Sequence, residues 1–277
     1  MRTVTWRRQV VTIPDDFDLD KILESGQCFR PQKLADGRYR FLSGESILCL
    51  RPLGGGQYEA QFSGADWAFW ADYFDLSRNY AALRQSQQGQ SAYLDEALQF
   101  GAGIRLLRQD PWEMLITFLI SQRKSIPAIR TAVEKLALCC GTPLCADGEV
   151  LYLFPTPAQL AALPEETLQA CGLGYRTRYI QSAAAQAACG ALDLAALASL
   201  SDDALFARLL SLDGVGKKVA NCVCLFGYGR TAMAPIDVWI QRLIDEQFSG
   251  HDPFPAYGQQ AGIVQQYLFY YKRSTSR

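Results

Sequence analysis

The stretch from Leu209 to Arg242 has the sequence LLSLDGVGKKVANCVCLFGYGRTAMAPIDVWIQR, and it decides the fold. Gly214 and Gly216 interrupt an apolar pattern that is typical of a helix, and a second helical pattern begins at Lys217. Because glycine adopts the positive φ that a tight turn needs, the stretch predicts two helices joined by a hairpin. The backbone N–H groups of such a hairpin can face an anion such as a phosphate, which the helix dipole also favours.

Two side chains of this stretch can carry chemistry. Lys218 and Cys222 are four residues apart and share one helical face, so the lysine can point into a pocket. Asp237 follows an extended Pro-Ile pair and stands at or near the N-cap position of the next helix. A neutral lysine amine can attack the anomeric carbon of a nucleoside, expel the base and hold the sugar as a Schiff base, from which β-elimination cuts the strand. The carboxylate can offset the positive charge on the sugar or carry protons.

Each of these residues has a simpler interpretation when it is taken alone. Lys218 could only contact a DNA phosphate, and Asp237 could only cap a helix. Their joint occurrence around a Pro-Ile-Asp-Val element favours the catalytic interpretation.

The stretch resembles the helix-hairpin-helix plus Gly/Pro-Asp motif of DNA glycosylases. The segment from Gly214 to Cys222 is close to that of the 8-oxoguanine DNA glycosylase family. In that family the nucleophile is a lysine, which matches Lys218, and the catalytic aspartate matches Asp237. The motif is specific because the lysine, the hairpin and the aspartate all occur at the family's spacing.

The resemblance also implies a pocket for the damaged base. Gly26, in the Ser-Gly-Gln loop at 25–27, matches the glycine whose carbonyl accepts the N7–H that 8-oxoguanine has and guanine lacks. Gln265 matches a glutamine on the Watson–Crick edge of the base, and Cys222 and Phe269 match the residues on its two faces. Without the resemblance, the loop is typical of a structural turn, and the glutamine and phenylalanine are typical of packing on a terminal helix.

A polar segment after an apolar helix matches the family's strand-probing segment, which fills the gap left by an extruded base. It contains Gln122 and Arg123, and on composition alone it is equally typical of a plain connection between helices. Eukaryotic members read the orphaned cytosine with an asparagine and two arginines. Here Arg123 stands at the asparagine position, Ala128 at one arginine position, and Arg176 remains at the other. We therefore expect weak discrimination of the base opposite the lesion.

The resemblance implies further DNA contacts. Tyr175 matches the wedge residue that stacks into the kinked duplex, although a tyrosine beside a glycine turn is also typical of a core. Trp239 stands where eukaryotic members have a histidine thought to touch a phosphate. We expect the hairpin to contact the DNA backbone through Gly214, Gly216 and Lys217.

The pattern of the chain changes near residue 103. The first hundred residues contain aromatic and aliphatic segments separated by glycine-rich turns, which predict strands and hairpins, and helical patterns at 67–74 and 80–100. We predict an N-terminal α+β domain over 1–103 and a helical domain with the active-site cleft over 104–277. The resemblance implies an α+β fold in which an antiparallel, TBP-like β-sheet domain precedes a mostly α-helical helix-hairpin-helix glycosylase domain. The predicted strands are 39–43, 46–51 and 58–62.

The charge balance gives no general attraction to DNA. The 277 residues include 27 basic and 28 acidic side chains, for a formal net charge of −1. A nucleic-acid-binding domain usually has a basic excess, so affinity would have to come from a local patch; scattered solvated charges are the alternative. The candidates for such a patch are Arg105, Arg108, Arg123, Lys124, Arg130, Arg176, Arg178, Lys217 and Lys218.

Composition also limits location and cofactors. No apolar run approaches the roughly 20 residues of a membrane span, and the first residues lack a signal-peptide core. We expect a monomeric cytoplasmic protein, associated with the bacterial nucleoid and not secreted. The nine cysteines lack paired C-x2-C spacing, and the single histidine, His251, cannot complete a shared metal site. Reduced, mostly buried thiols and no catalytic cofactor are therefore expected; hairpin carbonyls of relatives can hold a monovalent cation.

The resemblance implies an enzyme that acts on double-stranded DNA containing oxidised guanine. Two alternatives remain at this point. A monofunctional glycosylase for alkylated bases shares the fold and the aspartate but lacks a lysine equivalent to Lys218. A non-catalytic helix-hairpin-helix module would bind duplex DNA and would need neither Asp237 nor the set formed by Gly26, Gln265 and Phe269.

Overall fold

An antiparallel sheet dominates the first 63 residues in the computed structural model, which describes residues 2–276. A short strand, β1 (Arg2–Thr3), precedes β2 (Arg7–Thr12), β3 (Gln32–Lys33), β4 (Tyr39–Ser43), β5 (Ser46–Gly54) and β6 (Gln57–Ser63). Five of them form a sheet in the order β2-β6-β5-β4-β3. The three strands predicted from the sequence are thereby confirmed.

Two short helices, α1 (Leu19–Glu24) and α2 (Trp67–Tyr73), pack with this sheet. Both begin after an aspartate, Asp18 or Asp66, whose carboxylate accepts a hydrogen bond from the N–H three residues further on. Such a bond satisfies one of the free donors at a helix start. The buried core between sheet and helices includes Ile22, Phe41, Leu48, Trp70 and Phe74.

The rest of the chain is mostly helical, which confirms the predicted fold class. Asp110 caps the helix that begins at Pro111, and proline suits this first helical position. Within residues 2–276, none of the helices combines the length and apolar character that crossing a bilayer requires. The helices are α3 (Tyr80–Ser86), α4 (Ala92–Phe100), α5 (Pro111–Ser121), α6 (Ile126–Cys140), α7 (Pro157–Ala161), α8 (Glu165–Ala170), α9 (Thr177–Ala188), α10 (Leu194–Leu197), α11 (Asp202–Leu210), α12 (Lys217–Tyr228), α13 (Val238–Gln247) and α14 (Ala261–Thr275), with 3₁₀ turns at Gly174–Arg176 and Phe254–Gln260.

A β-hairpin interrupts the helical part, and the sequence analysis missed it. Strands β7 (Pro143–Ala146) and β8 (Glu149–Tyr152) pair in antiparallel fashion around Asp147 and Gly148, which have φ values of 51° and 83°. Positive φ at both central residues suits a two-residue hairpin turn, and Asp-Gly is a strong sequence signal for it. β1 pairs with β7 in parallel, so the start of the chain joins this second sheet.

Packing crosses the predicted boundary near residue 103. Helices α3 and α4 precede it, yet they contribute Tyr80 and Leu94 to the hydrophobic core of the helical part. Helix α4 also lies against α14. The two parts therefore share buried surface, which fixes the orientation of the N-terminal part against the final helix, and the boundary itself remains a prediction.

Arg105 joins the two parts from inside. Its fully buried guanidinium donates to the Asp15 carboxylate at 3.0 Å and to the Phe74 carbonyl at 3.0 Å. A buried charge needs such partners, because it has lost its water. Arg108 is likewise paired, with Asp75 at 2.6 Å. Arg105 and Arg108 are therefore structural and are not available to the predicted DNA-binding patch.

The nine cysteines are all free thiols, of which Cys139 and Cys189 are exposed. Burial raises the pKa of Cys28 to about 12 and that of Cys49 to about 11. Both thiols are therefore protonated at neutral pH and unreactive as nucleophiles.

Candidate active site

The predicted hairpin lies between α11 and α12. Gly214 has a φ of 75°, and a Cβ there would overlap the ring of Tyr179, so only glycine fits. Gly216 is the N-cap of α12 and offers no side chain to the N–H groups of the first turn. Those groups are therefore available to an anion, and the exposed Lys217 lies beside them.

Lys218 is half-buried and points into the protein from the first turn of α12. Its ammonium group donates to the Ser121 hydroxyl at 3.3 Å and lies 4.9 Å from the centroid of the Phe118 ring. The Ser121 hydroxyl itself donates to the Phe118 carbonyl at 2.8 Å, so its lone pair is left for the lysine. The end of α5 thus sets the position of the Lys218 amine.

Asp237 caps α13. Its Oδ1 accepts hydrogen bonds from the backbone N–H groups of Trp239 and Ile240 at 3.0 and 2.9 Å. Because both bonds use one oxygen, the other oxygen can act in the cavity that Asp237 lines together with Lys218. Capping and a chemical role are therefore compatible in the same side chain.

This cavity brings together the residues predicted to hold the base. Gly26, Cys222, Gln265 and Phe269 line it beside Lys218 and Asp237, and we call the space between these four residues the base slot. The slot is built from α12, α14 and the loop after α1. Phe118, Phe226, Pro235 and Gln266 complete the lining.

Residues 24–27, the recognition loop, are tightly hydrogen-bonded. The Gln27 side chain is fully buried; its amide donates to the Arg105 carbonyl at 2.8 Å, and its oxygen accepts from the Leu107 N–H at 2.8 Å. The Gln266 amide, on α14, donates to the Ser25 carbonyl at 2.6 Å. Both halves of the chain therefore hold the loop that carries Gly26.

Gly26 is in a conformation that suits glycine alone. Its φ is 83°, and a Cβ there would lie 2.9 Å from the Phe269 ring and 3.1 Å from the Arg273 guanidinium. Such a residue would be strained and crowded. The close approach lets the Gly26 backbone form one wall of the base slot.

Gln265 contributes an unsatisfied acceptor to the slot. Its side-chain amide donates to the Pro235 carbonyl at 2.9 Å, which fixes the orientation of the side chain. Its Oε1 is buried and has no hydrogen-bond partner among residues 2–276. Buried polar atoms are rarely left unpaired, so this oxygen is suited to a donor on a ligand in the slot.

Cys222 forms another wall of the slot as a neutral group. Burial raises the pKa of its thiol to about 11, against the nearby Lys218 charge, which lowers it. The thiol is therefore protonated at neutral pH and offers a soft, apolar surface. This suits contact with the face of a base.

Residues 122–125, the strand-probing turn, line a wider groove outside the slot together with Trp239. Arg123 is exposed and has a φ of 52°, the left-handed region that few residues other than glycine adopt. Tyr175, predicted as the wedge, is 49% exposed and is thus free to contact DNA.

Arg176 lies differently from what its predicted role requires. It is only 6% exposed, and its guanidinium donates to the Gln122 carbonyl through two nitrogens and to the Leu173 carbonyl. The Gln122 amide in turn donates to the Gly214 carbonyl at 3.1 Å. In this conformation Arg176 supports the strand-probing turn, and its contact with an opposite base stays a prediction.

Sequence reasoning overlooked several residues of the site. Ser121 directly precedes Gln122 in the sequence, but nothing in its spacing pointed to Lys218, because the two are 97 residues apart. Arg273 lies four residues after Phe269, and residues at this spacing share one face of a helix. The sequence therefore already indicated that Arg273 lies near the site.

Comparison with known proteins places this geometry in context. A probable N-glycosylase/DNA lyase of Methanothermobacter thermautotrophicus is 27% identical, over 93% of this chain and 94% of that protein. MBOgg1, solved in complex with a low-affinity DNA ligand, is 34% identical with a TM-score of 0.89, over 99% of this chain and 100% of that one. The 8-oxoguanine glycosylase/lyase of Clostridium acetobutylicum, solved with double-stranded DNA containing cytosine opposite 8-oxoG, is 28% identical with a TM-score of 0.88, over 100% of both chains.

Two family models match the chain in succession. The N-terminal domain of 8-oxoguanine DNA glycosylase matches residues 10–115, and the HhH-GPD superfamily of base excision DNA repair proteins matches residues 116–259, more than half of the chain. The first range contains the recognition loop and the second contains the hairpin with Lys218 and Asp237. The chain therefore belongs to the 8-oxoguanine DNA glycosylases of the HhH-GPD superfamily of base excision DNA repair proteins.

Proposed function

We propose that this protein is a bifunctional enzyme that excises 8-oxoguanine from duplex DNA and then cleaves the abasic site. The observation that carries the proposal is that Lys218 and Asp237 line the same cavity as the four residues of the base slot. A nucleophile and a carboxylate beside residues that can enclose a base are what base removal by an amine requires.

In the proposed reaction the neutral Lys218 amine attacks C1′ of the flipped nucleotide. The bond from C1′ to N9 of the base breaks, and the base leaves with a proton. Asp237 offsets the positive charge that develops on the sugar. The C1′–O4′ bond of the sugar then breaks, O4′ takes up the remaining amine proton, and an imine forms between Lys218 and C1′. This imine acidifies C2′; loss of a C2′ proton then breaks the C3′–O bond and nicks the strand. Ser121 keeps the amine in place through its hydrogen bond at 3.3 Å.

Recognition of the lesion is proposed to depend on two acceptors. The Gly26 carbonyl would accept the N7–H of 8-oxoguanine, and guanine would present a lone pair there instead. The buried Oε1 of Gln265 would accept an N–H from the Watson–Crick edge. Cys222 and Phe269 would enclose the two faces of the base. A buried polar mismatch costs enough to discriminate strongly between related bases.

Duplex DNA is the proposed partner. The N–H groups at the start of α12 and Lys217 would hold a phosphate, with Gly214 and Gly216 permitting the close approach. The groove lined by Arg123 and Trp239 would take the distorted strand. We propose a cytoplasmic monomer that needs no catalytic cofactor, with at most a monovalent cation bound to the hairpin carbonyls.

The proposal is tested by trapping the imine. Wild-type protein is incubated with a duplex that carries one 8-oxoguanine, and borohydride is added to reduce any Schiff base to a stable adduct. We expect an adduct with wild type and none with Lys218→Gln. Asp237→Asn should lower the rate of base release by about 10²- to 10³-fold. Lys135→Gln, an exposed lysine outside the cavity, is the control and should match wild type.

Other outcomes separate the alternatives. Base release from wild type without an adduct would indicate a monofunctional glycosylase. Binding of the duplex with neither release nor adduct would indicate a non-catalytic module and would leave Lys218 as a phosphate contact.

A further inference from the structure

Arg273 lies at the mouth of the base slot, one turn beyond Phe269 on α14. Its side chain is only 9% exposed, so most of its length is packed within the protein. It also lines the wider groove outside the slot. A buried arginine at this place needs an explanation, because burying a guanidinium is costly unless it makes specific contacts.

The guanidinium connects the two walls of the slot. Nη2 donates to the Glu24 carbonyl in the recognition loop, 249 residues away in sequence. The Cζ atom lies 5.4 Å from the centroid of the Phe269 ring. Nη1 lies 3.1 Å from the position that a Cβ on Gly26 would occupy. One side chain thus contacts the loop that carries Gly26 and the ring that faces it.

Arginine is suited to this connection. Its planar group can stack on an aromatic ring and donate hydrogen bonds in its own plane at the same time. Lysine has a similar length and charge but lacks the plane and the fork of donors. The contacts therefore depend on the shape of arginine and not only on its charge.

We propose that Arg273 is a positioning residue that sets the spacing between Phe269 and the Gly26 carbonyl. This rests on the proposed function of the slot. Arg273 acts mainly on base recognition, because it contacts the recognition loop and Phe269, whereas Lys218 is held from α5 by Ser121 and Phe118. Displacing a positioned group by about 1 Å can cost about 10²-fold in rate.

The test uses two DNA duplexes, one with 8-oxoguanine and one with a preformed abasic site, which has no base to place in the slot. Single-turnover rates on both are measured for wild type, Arg273→Met and Arg273→Lys. Lys272→Met is the matched control, since Lys272 is the neighbouring residue, is likewise largely buried, and pairs with Glu246 outside the base slot. Thermal unfolding of each variant is followed in parallel.

We expect Arg273→Met to slow 8-oxoguanine excision by about 10- to 100-fold and abasic-site cleavage by less than about 3-fold. Arg273→Lys should restore little of the loss, and Lys272→Met should match wild type on both duplexes. Equal losses on both duplexes would indicate general destabilisation and would overturn the proposal, as would no loss on either. Absence of 8-oxoguanine excision by wild type would instead refute the proposed function, so the two failures are distinguishable.

Discussion

The recognition loop and the strand-probing turn both border the site, but the protein holds them very differently. The recognition loop is fixed by the buried Gln27 side chain and by donors from α14. In the strand-probing turn, Arg123 is exposed and has a left-handed backbone conformation, and support comes mainly from Arg176 through the Gln122 carbonyl.

The difference indicates where this enzyme places its specificity. A site whose groups are already in position loses little conformational freedom when its ligand binds, and therefore selects strongly. The base slot meets that condition. We expect the strand-probing turn to differ, because the side chain of Arg123 is exposed and is not fixed against one base. We therefore expect strict selection of the damaged base and loose selection of its partner.

The largest effect is expected from Gly26→Ala, a substitution in the firmly held recognition loop. The new Cβ would be placed 2.9 Å from the Phe269 ring, on a residue with a φ of 83°. The loop or the ring must shift, so excision of 8-oxoguanine should fall by about 10²-fold or more. Single-turnover kinetics measure this. Gly37→Ala is the matched control, since Gly37 has a φ of 82° and nothing within 4 Å of the new Cβ.

Comparable losses for the Gly26 and Gly37 variants would mean that backbone strain alone accounts for the effect. The exact position of the recognition loop would then not determine the excision rate.

A smaller effect is expected from Gln265→Leu, which removes the buried Oε1 from the slot. If that oxygen accepts an N–H of the base, its loss leaves the donor unpaired at a cost of about 1–3 kcal/mol, or about 5- to 150-fold in excision rate. For wild type and for Gln265→Leu, the excision rate on 8-oxoguanine is compared with the excision rate on a lesion that lacks the exocyclic 2-amino group. Gln169→Leu, on an exposed glutamine of α8, serves as the control. An unchanged rate on 8-oxoguanine would place the base elsewhere.

The smallest effect is expected from Arg123→Ala, a substitution in the strand-probing turn. Wild type should excise 8-oxoguanine opposite cytosine, thymine, guanine and adenine at rates within about 10-fold of one another. The substitution should lower all four by about 2- to 5-fold, because an exposed contact contributes little. A strict requirement for cytosine, or a loss confined to the cytosine duplex, would show that the turn is as organised as the recognition loop.

Most features that depend on neighbouring residues in the chain could be predicted from the sequence. The hairpin glycines, the Asp237 cap and the strands of the first sheet all depend on residues close to one another in the chain. The convergence of Gly26, Cys222, Gln265 and Phe269 came from the family resemblance, because no local pattern brings three distant segments together. Their geometry in the cavity agrees with that expectation, and their roles remain to be tested.

What the sequence did not predict depends on packing. The charges of Arg105 and Arg108 suggested DNA contacts, but the carboxylates of Asp15 and Asp75 pair with them, and partners so distant in sequence carry no local signal. The same holds for Arg176, which donates to a carbonyl 54 residues away. The hairpin of β7 and β8 is a different case, because its Asp-Gly turn is a local sequence signal. The helical patterns around it led to the prediction of a helical domain there.

The contacts of α14 with the recognition loop have a consequence for synthesis of the protein. Gln266 reaches Ser25 across 241 residues, and Arg273 reaches Glu24 across 249. Chains emerge from the ribosome from the first residue onward, at about 5–20 residues per second. The hairpin and Lys218 are therefore exposed on the growing chain before the slot has its last wall. Until α14 has been made and has docked, the pocket beside Lys218 is incomplete, so under the proposed function the completed chain is the first species that can select a damaged base.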